Sequence, residues 1–412
     1  MYTNMADEVM EVVDWKVNER LETDLKTLVK QNLRRKEILD ILRQKYPNYP
    51  WSLSTLDRRM RHFNLWYLDK TTPIEAVKDA VAKELEGPGK LLGYRALNNK
   101  LRLYHDIKVP RNLVADVVFD LDPEGVAARN VKKKKRKAKI PFVADGPGWV
   151  FSLDGHDKLM GFQNSTFPLA IYGCLDCFSR KLMFIKVWDS NSNPLTIAKF
   201  YMEYLVNSKE MPRFLRIDRG TETGDMGTIH TYLIDKHGNF ADPTDSVVYG
   251  PSTSNKIERW WRDLHERMEL FIKQQLRGLL HSFDYDPTSE LDRDCMKFIF
   301  IPVVQRECDI FANLWNSHRI RAQKDLELPT GVPNHIFACP EQFGCEKKLV
   351  DVSEESLIEV GQLANIDQAP DDYLSPENRE LFASIIPNPI DIECKHLSDR
   401  YLYLKSQVIQ MV

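Results

Sequence analysis

The 412-residue sequence predicts an α/β domain on a mixed sheet, preceded by all-α helix-turn-helix modules. Three observations carry this expectation. From residue 148 onward, short β-rich runs (GWVFSLD, PLAIYGCLD, RKLMFIKVW) are separated by Gly, Asn, Ser and Pro, and helical stretches follow. Before residue 130 the apolar spacing is helical. Charge also divides the chain. Residues 1–140 hold 29 Lys+Arg and 20 Asp+Glu and the remainder 28 and 40, so a net −3 conceals +9 and −12.

Residues 33–45, LRRKEILDILRQK, put Ile38, Leu39 and Leu42 on one helical face. Tyr46-Pro47-Asn48-Tyr49-Pro50 breaks that helix. Ser54 is the expected cap of a second, with Leu56, Met60 and Phe63 inward and Arg58, Arg59, Arg61 and His62 outward. Two short helices across a tight break, the second basic, form a helix-turn-helix pattern suited to DNA; a small bundle with a solvated basic face is the plainer alternative. Pro73 opens PIEAVKDAVAKELE, and LLGYRALNNKLRLYH forms a further helix after Gly87-Pro88-Gly89. The run Lys132, Lys133, Lys134, Lys135, Arg136, Lys137 repels itself and reads as an extended linker, a nuclear-import signal or a phosphate contact.

Beyond it, three strands lead into the helix PLTIAKFYMEYLVN, the strand RFLRID, the helix GDMGTIHTYLIDKH, the strand SVVYG and a long helix over 252–278. That order is compatible with a five-stranded mixed sheet covered by helices on both faces. Further helices are expected at 292–316 and around 334–348. The units are an N-terminal helix-turn-helix domain (1–70), a second helical module (71–130), a basic linker (131–147), an α/β core (148–340) and an acidic tail (341–412). The tail holds 14 acidic and 6 basic residues.

A composition of 43% hydrophobic and 28% charged residues excludes wholesale disorder and collagen-like architecture. No apolar run reaches 18 residues, so no membrane partner is expected. The acidic start, MYTNMADEVMEVVDWK, does not read as a secretory signal. Seven irregularly spaced cysteines suit a reducing compartment. Cys174 and Cys177 look like half a zinc site, but no second pair exists and the segment reads as a buried strand.

The acids fall in a telling pattern. Asp154 follows Trp149–Leu153, Asp218 closes Phe214–Ile217, and Glu258 lies in the first turns of the long helix. Ligands of open α/β sheets gather outside strand carboxyl ends. Two strand-end carboxylates joined by a third would make a hard oxygen site for Mg²⁺ or Mn²⁺, and paired ions so held suit in-line phosphoryl displacement. Taken singly, Asp154 and Asp218 could be turn residues and Asn255–Glu258 a capping box. Lys256 and Arg259 flank Glu258 and could reach a phosphate. Asn255 could orient it or touch DNA, and His156 could support the acids from behind or position water. Glu222 and Asp225 read as first-turn acids, and Trp260 and Trp261 as packing.

The strings SLDGHDKL, CLDCFSRKLMFIKV, LRIDRGTET and YGPSTSNKIERWWRDL, with LWNSHRIR and GVP downstream, resemble the core of DDE integrases and transposases. More narrowly, they resemble transposable-element-related eukaryotic integrase-core proteins. LLGYRALNNKL is similar to the helical DNA-binding region ahead of the core in bacterial insertion-sequence integrases, which implies a second DNA-binding module at 71–130 and a catalytic core at 148–340. The resemblance covers residues 148–340 and implies an RNase H-like fold. It also implies two divalent ions (Mg²⁺ or Mn²⁺), no small-molecule cofactor, DNA as partner, a nuclear location and a dimer or tetramer. By this likeness Asp154 bridges both metals while Asp218 and Glu258 each hold one, with 39 residues between the last two. The implied reaction is DNA 3′-end cleavage and strand transfer without a covalent enzyme intermediate. An N-terminal HHCC zinc module and a clear small β-barrel after residue 340 are both missing from the pattern. The rival expectations are a domesticated DNA-binding protein whose carboxylates are unused, and a structure-selective nuclease.

Overall fold

A computed structural model describes residues 14–129, 144–162, 165–250, 257–322 and 328–411. The run Lys132–Lys137 and the residues Asn255 and Lys256 lie outside them.

Three helices lead the chain: α1 (Glu19–Lys30), α2 (Arg35–Lys45) and α3 (Leu53–His62). Leu21, Leu25 and Val29 of α1, Ile38 and Leu42 of α2, and Leu56 and Met60 of α3 meet in one core. The cap of α3 is Ser52 rather than Ser54. Its hydroxyl accepts from the Thr55 amide at 3.1 Å while the Thr55 hydroxyl accepts from the Ser52 amide at 2.7 Å, a reciprocal box that satisfies first-turn donors. A second module, α4 (Ile74–Leu85), α5 (Tyr94–Tyr104), α6 (Arg111–Leu121) and the short α7 (Pro123–Ala128), packs Val77, Val81, Leu97, Leu101, Val114 and Val118 together and onto Leu314.

The sheet contains β1 (Val150–His156), β2 (Ala170–Asp176), β3 (Leu182–Trp188), β5 (Phe214–Ile217) and β6 (Val247–Tyr249), in the order β3-β2-β1-β5-β6. The first hairpins are antiparallel, while β1–β5 and β5–β6 are parallel. Helices α8 (Pro194–Ser208) and α9 (Gly224–His237) make the parallel crossovers and cover Phe151 and Leu153 on one face. The other face carries α10 (Ile257–Leu264), α11 (Leu270–His281) and the 28-residue α12 (Glu290–Ser317). The helix expected over 252–278 is thus two α segments joined by a π-helical turn at His265–Glu269. Around 334–348 only α13 (Pro333–Ala338) is α-helical, since Pro340 and the left-handed Gly344 (φ 74°) prevent continuation.

The acidic segment beyond 341 does not hang free as a tail. Its strand β7 (Val350–Asp351) pairs with β4 (Glu210–Met211), and α14 (Glu354–Leu363) lays Leu357 and Val360 on the α8/α9 side. On the opposite side α15 (Pro376–Ile385) and α16 (Leu397–Met411) bury Phe382, Leu397, Tyr401 and Leu404. Several of its acids meet lysines of the core: Glu354 with Lys209 at 2.8 Å, Asp371 with Lys199 at 2.5 Å, and Glu359 with Lys236.

Candidate active site

The site grows out of β1. Its hairpin with β2 continues through Asp154, opposite Gly173, to His156, so Asp154 lies within the strand and is neither a strand end nor a turn residue. On its other side β1 pairs Val150 with Phe214 and Ser152 with Arg216. β5 ends at Ile217, so Asp218 follows the carboxyl end of the strand that runs parallel beside β1. Ser152, Asp154 and His156 share one face, and α10 lies on it. The Ile257 amide donates to the Ser152 hydroxyl at 3.4 Å, which seats Glu258 at the beginning of α10 over Asp154.

Asp154 feels the other two carboxyls. Asp154 is 7% exposed, Asp218 half-buried and Glu258 exposed. Burial first, then the Glu258 and Asp218 charges, push Asp154 up to about 8, and Glu258 is close enough to share a proton with it. That proton occupies a position chemically suited to a cation. The donors are hard carboxylate oxygens of the class that Mg²⁺ or Mn²⁺ takes, so the residues present fit the expected metal. Among the described residues, however, no group of three or more His, Cys, Asp or Glu side chains is placed so that it could hold a metal ion. Glu222 belongs to the same neighbourhood, in a 3-10 turn (Thr221–Thr223) ahead of α9. Burial, and then Asp218 and Asp157, raise its carboxyl. Asp225 does sit in the first turn of α9, as expected.

One expected role narrows and another changes. His156 is 6% exposed and turned inward. It stacks on Trp261 with centroids 4.7 Å apart and lies 2.7 Å from Glu269, in a contact bent away from a straight hydrogen bond. It therefore supports the site from behind and does not meet water at the front. Arg59 leaves the set of DNA contacts because it is 1% exposed. Its guanidinium donates to the Pro50 carbonyl at 3.0 Å and lies 4.1 Å from the Trp51 ring. Arg58 and Arg61 of α3 do face solvent, as does Arg259 of α10.

Trp261 is the residue that sequence reasoning missed. Its indole N–H donates to Asp154 Oδ2 at 3.1 Å. Gly173 leaves room for it, since a Cβ there would come within 2.8 Å of the indole ring. A signal was present: Trp261 is three residues after Glu258 and so shares its helical face. Trp260 does pack, as expected, on Phe311 and Trp315. Of the LWNSHRIR block, Trp315 donates to the Arg180 carbonyl at 2.7 Å, and Asn316 bonds both the amide and the carbonyl of Leu182, capping the edge of β3. Asp176 holds its turn by accepting from the Gly148 and Ser179 amides at 2.9 and 2.8 Å.

Residues 142–338 match the family model of the integrase core domain. No curated protein matches the chain. Integrase core domains as a class work with divalent metal. The mixed five-stranded sheet, with helices on both faces and this match laid over it, makes the core RNase H-like, and the match is consistent with the core of a DDE integrase or transposase.

Proposed function

We propose that the chain is a DNA-binding polynucleotidyl transferase that cleaves DNA 3′ ends and transfers the strand, using Asp154, Asp218 and Glu258. The observation that carries this is Asp154 on the central strand, pushed up to about 8 by burial and then by the nearby Glu258 and Asp218 charges. Three acids so gathered have little structural use, and repulsion on this scale is relieved by bound cations. Divalent ions there would activate the attacking oxygen and stabilise the leaving one. The chain's own share is positional: Asp154 lies on β1, Asp218 follows the neighbouring parallel strand β5, and Glu258 arrives from the start of α10. Arg58, Arg61 and Arg259, with the run Lys132–Lys137 and with Asn255 and Lys256, are the proposed DNA contacts. The nucleus is the proposed location, and self-association into a dimer or tetramer the proposed state.

The test is nicking of supercoiled plasmid by the full chain in Mn²⁺. Asp154→Asn, Asp218→Asn or Glu258→Gln is expected to lower it at least about 10²-fold while DNA affinity stays within about twofold. Equal nicking by any one variant removes that acid from the triad. A second reading, a DNA-binding protein that no longer uses its carboxylates, is favoured by the −12 balance after residue 140. It predicts DNA binding with no Mn²⁺-dependent nicking in the wild type.

A further inference from the structure

Behind the three acids is an ordered stack that packing alone does not require. Trp261 is 2% exposed and Asp154 7%, so their 3.1 Å hydrogen bond is shielded from water. The indole lies on the His156 ring at 4.7 Å with 14° between planes, and the Trp260 ring meets it edge-on at 5.1 Å. His156 is in turn 2.7 Å from Glu269, whose second oxygen accepts from His265 Nδ1 at 2.9 Å. Glu269 is fully buried and closes the π-helical turn. The extra residue of such a turn re-aims side chains, and these turns recur at functional sites. Gly173, directly across the hairpin from Asp154, is the only side-chain size that leaves the indole in place without displacement.

The chemistry of the donor matters as much as its place. Lys or Arg at this position would pair with Asp154 as an ion and compete with a cation for it. The indole N–H donates one hydrogen bond, carries no charge and does not ligate metals. It fixes one oxygen without neutralising the carboxylate.

We propose that Trp261 is a positioning residue for the metal site: its N–H holds Oδ2 of Asp154, on a base formed by His156 and Glu269, and leaves the other oxygen for a divalent cation. This rests on the function proposed above. The stack keeps the carboxylate in one rotamer before metal arrives, so binding does not have to order it.

Two variants and two readouts test this on the full chain. Trp261→Phe removes the donor but leaves a gap. Replacing Trp261 with benzothienylalanine keeps the bicyclic shape and removes only the N–H. Calorimetric titration with Mn²⁺ is expected to show affinity about tenfold weaker in both variants, the scale of one hydrogen bond to a charged group. The indole ¹H–¹⁵N resonance of Trp261, identified by its loss in Trp261→Phe, is expected to move when Mg²⁺ is added. In metal-free protein it is expected to move upfield in Asp154→Ala. Wild-type Mn²⁺ affinity in the benzothienyl protein overturns the positioning role and leaves the proposed function standing. An indole resonance that ignores Asp154→Ala overturns the hydrogen bond itself, whatever the metal does. A wild type that binds no Mn²⁺ overturns both readings together.

Discussion

Asp154 is the residue on which the site turns, and its titration is open to measurement. Its carboxyl goes from an ordinary 3.8 to about 8 because burial, Glu258 and Asp218 all penalise the charge. An acid raised in this way binds more protons folded than unfolded between those values. The stability it contributes is complete below the lower value and is lost as pH rises through the upper one. In the presence of chelator, the Tm of the wild type is therefore expected to fall between about pH 4 and pH 8 relative to Asp154→Asn, and added Mg²⁺ should flatten the difference. Parallel curves for the two proteins would show that the three acids do not interact. Arg59 teaches the opposite lesson at the same scale. A cation on a basic helix reads as a DNA contact, yet position i+3 from Leu56 turns it inward among Trp51, Tyr49 and Trp15.

At the scale of elements, the site depends on how closely α10 approaches the β1–β2 hairpin. The approach is set by Gly173, where an added methyl group would sit 2.8 Å from the ring of Trp261. Gly173→Ala is expected to cost about 1–3 kcal/mol in urea unfolding and to change the near-ultraviolet circular dichroism of the tryptophans. Gly224→Ala is the control, because nothing lies within 4 Å of a Cβ there and Ala favours the helix it opens. A loss of equal size in both would mean that the close approach is not what Gly173 provides. The π-helical turn between α10 and α11 acts at this level as well, since it brings Glu269 under His156.

Across the whole molecule, both helical modules and the C-terminal segment are docked on the core. Arg319 forms a two-pronged bond with Glu37 of α2 at 2.8 and 2.7 Å, His335 reaches Asp40 at 3.2 Å, and Val332 and Cys339 enter the N-terminal core. Although burial opposes it, the Arg319 bond and the Arg34 amide hold the Glu37 carboxyl below its ordinary value. The C-terminal segment contributes to the cores on both faces of the sheet. A chain ending at Phe343 is accordingly expected to lose cooperative unfolding and to be cut rapidly by protease at low concentration. Removing Phe382 and Tyr401 alone withdraws two large aromatic side chains at 0% exposure. A truncated chain with the full-length Tm would make the segment an appendage.

What the sequence determined by itself was local. Alternation and helical periodicity marked β1, β2, β3, α8 and α9, because those patterns follow from backbone geometry. The acids at Asp154, Asp218 and Glu258 stood out through their order along the chain. Tertiary structure decided what depends on neighbours distant in sequence. It placed Asp154 within a strand, because pairing with β2 extends β1 past Leu153. It turned His156 and Arg59 inward and made Trp261 a partner of Asp154, because helix and sheet meet only after folding. It also made an acidic tail into part of the core: composition counts Glu354, Glu359 and Asp371, whereas folding sets each against a lysine and puts Leu357, Phe382 and Tyr401 inside. Net charge adds over a segment, but burial depends on which face each residue takes, and that is a property of the assembled chain.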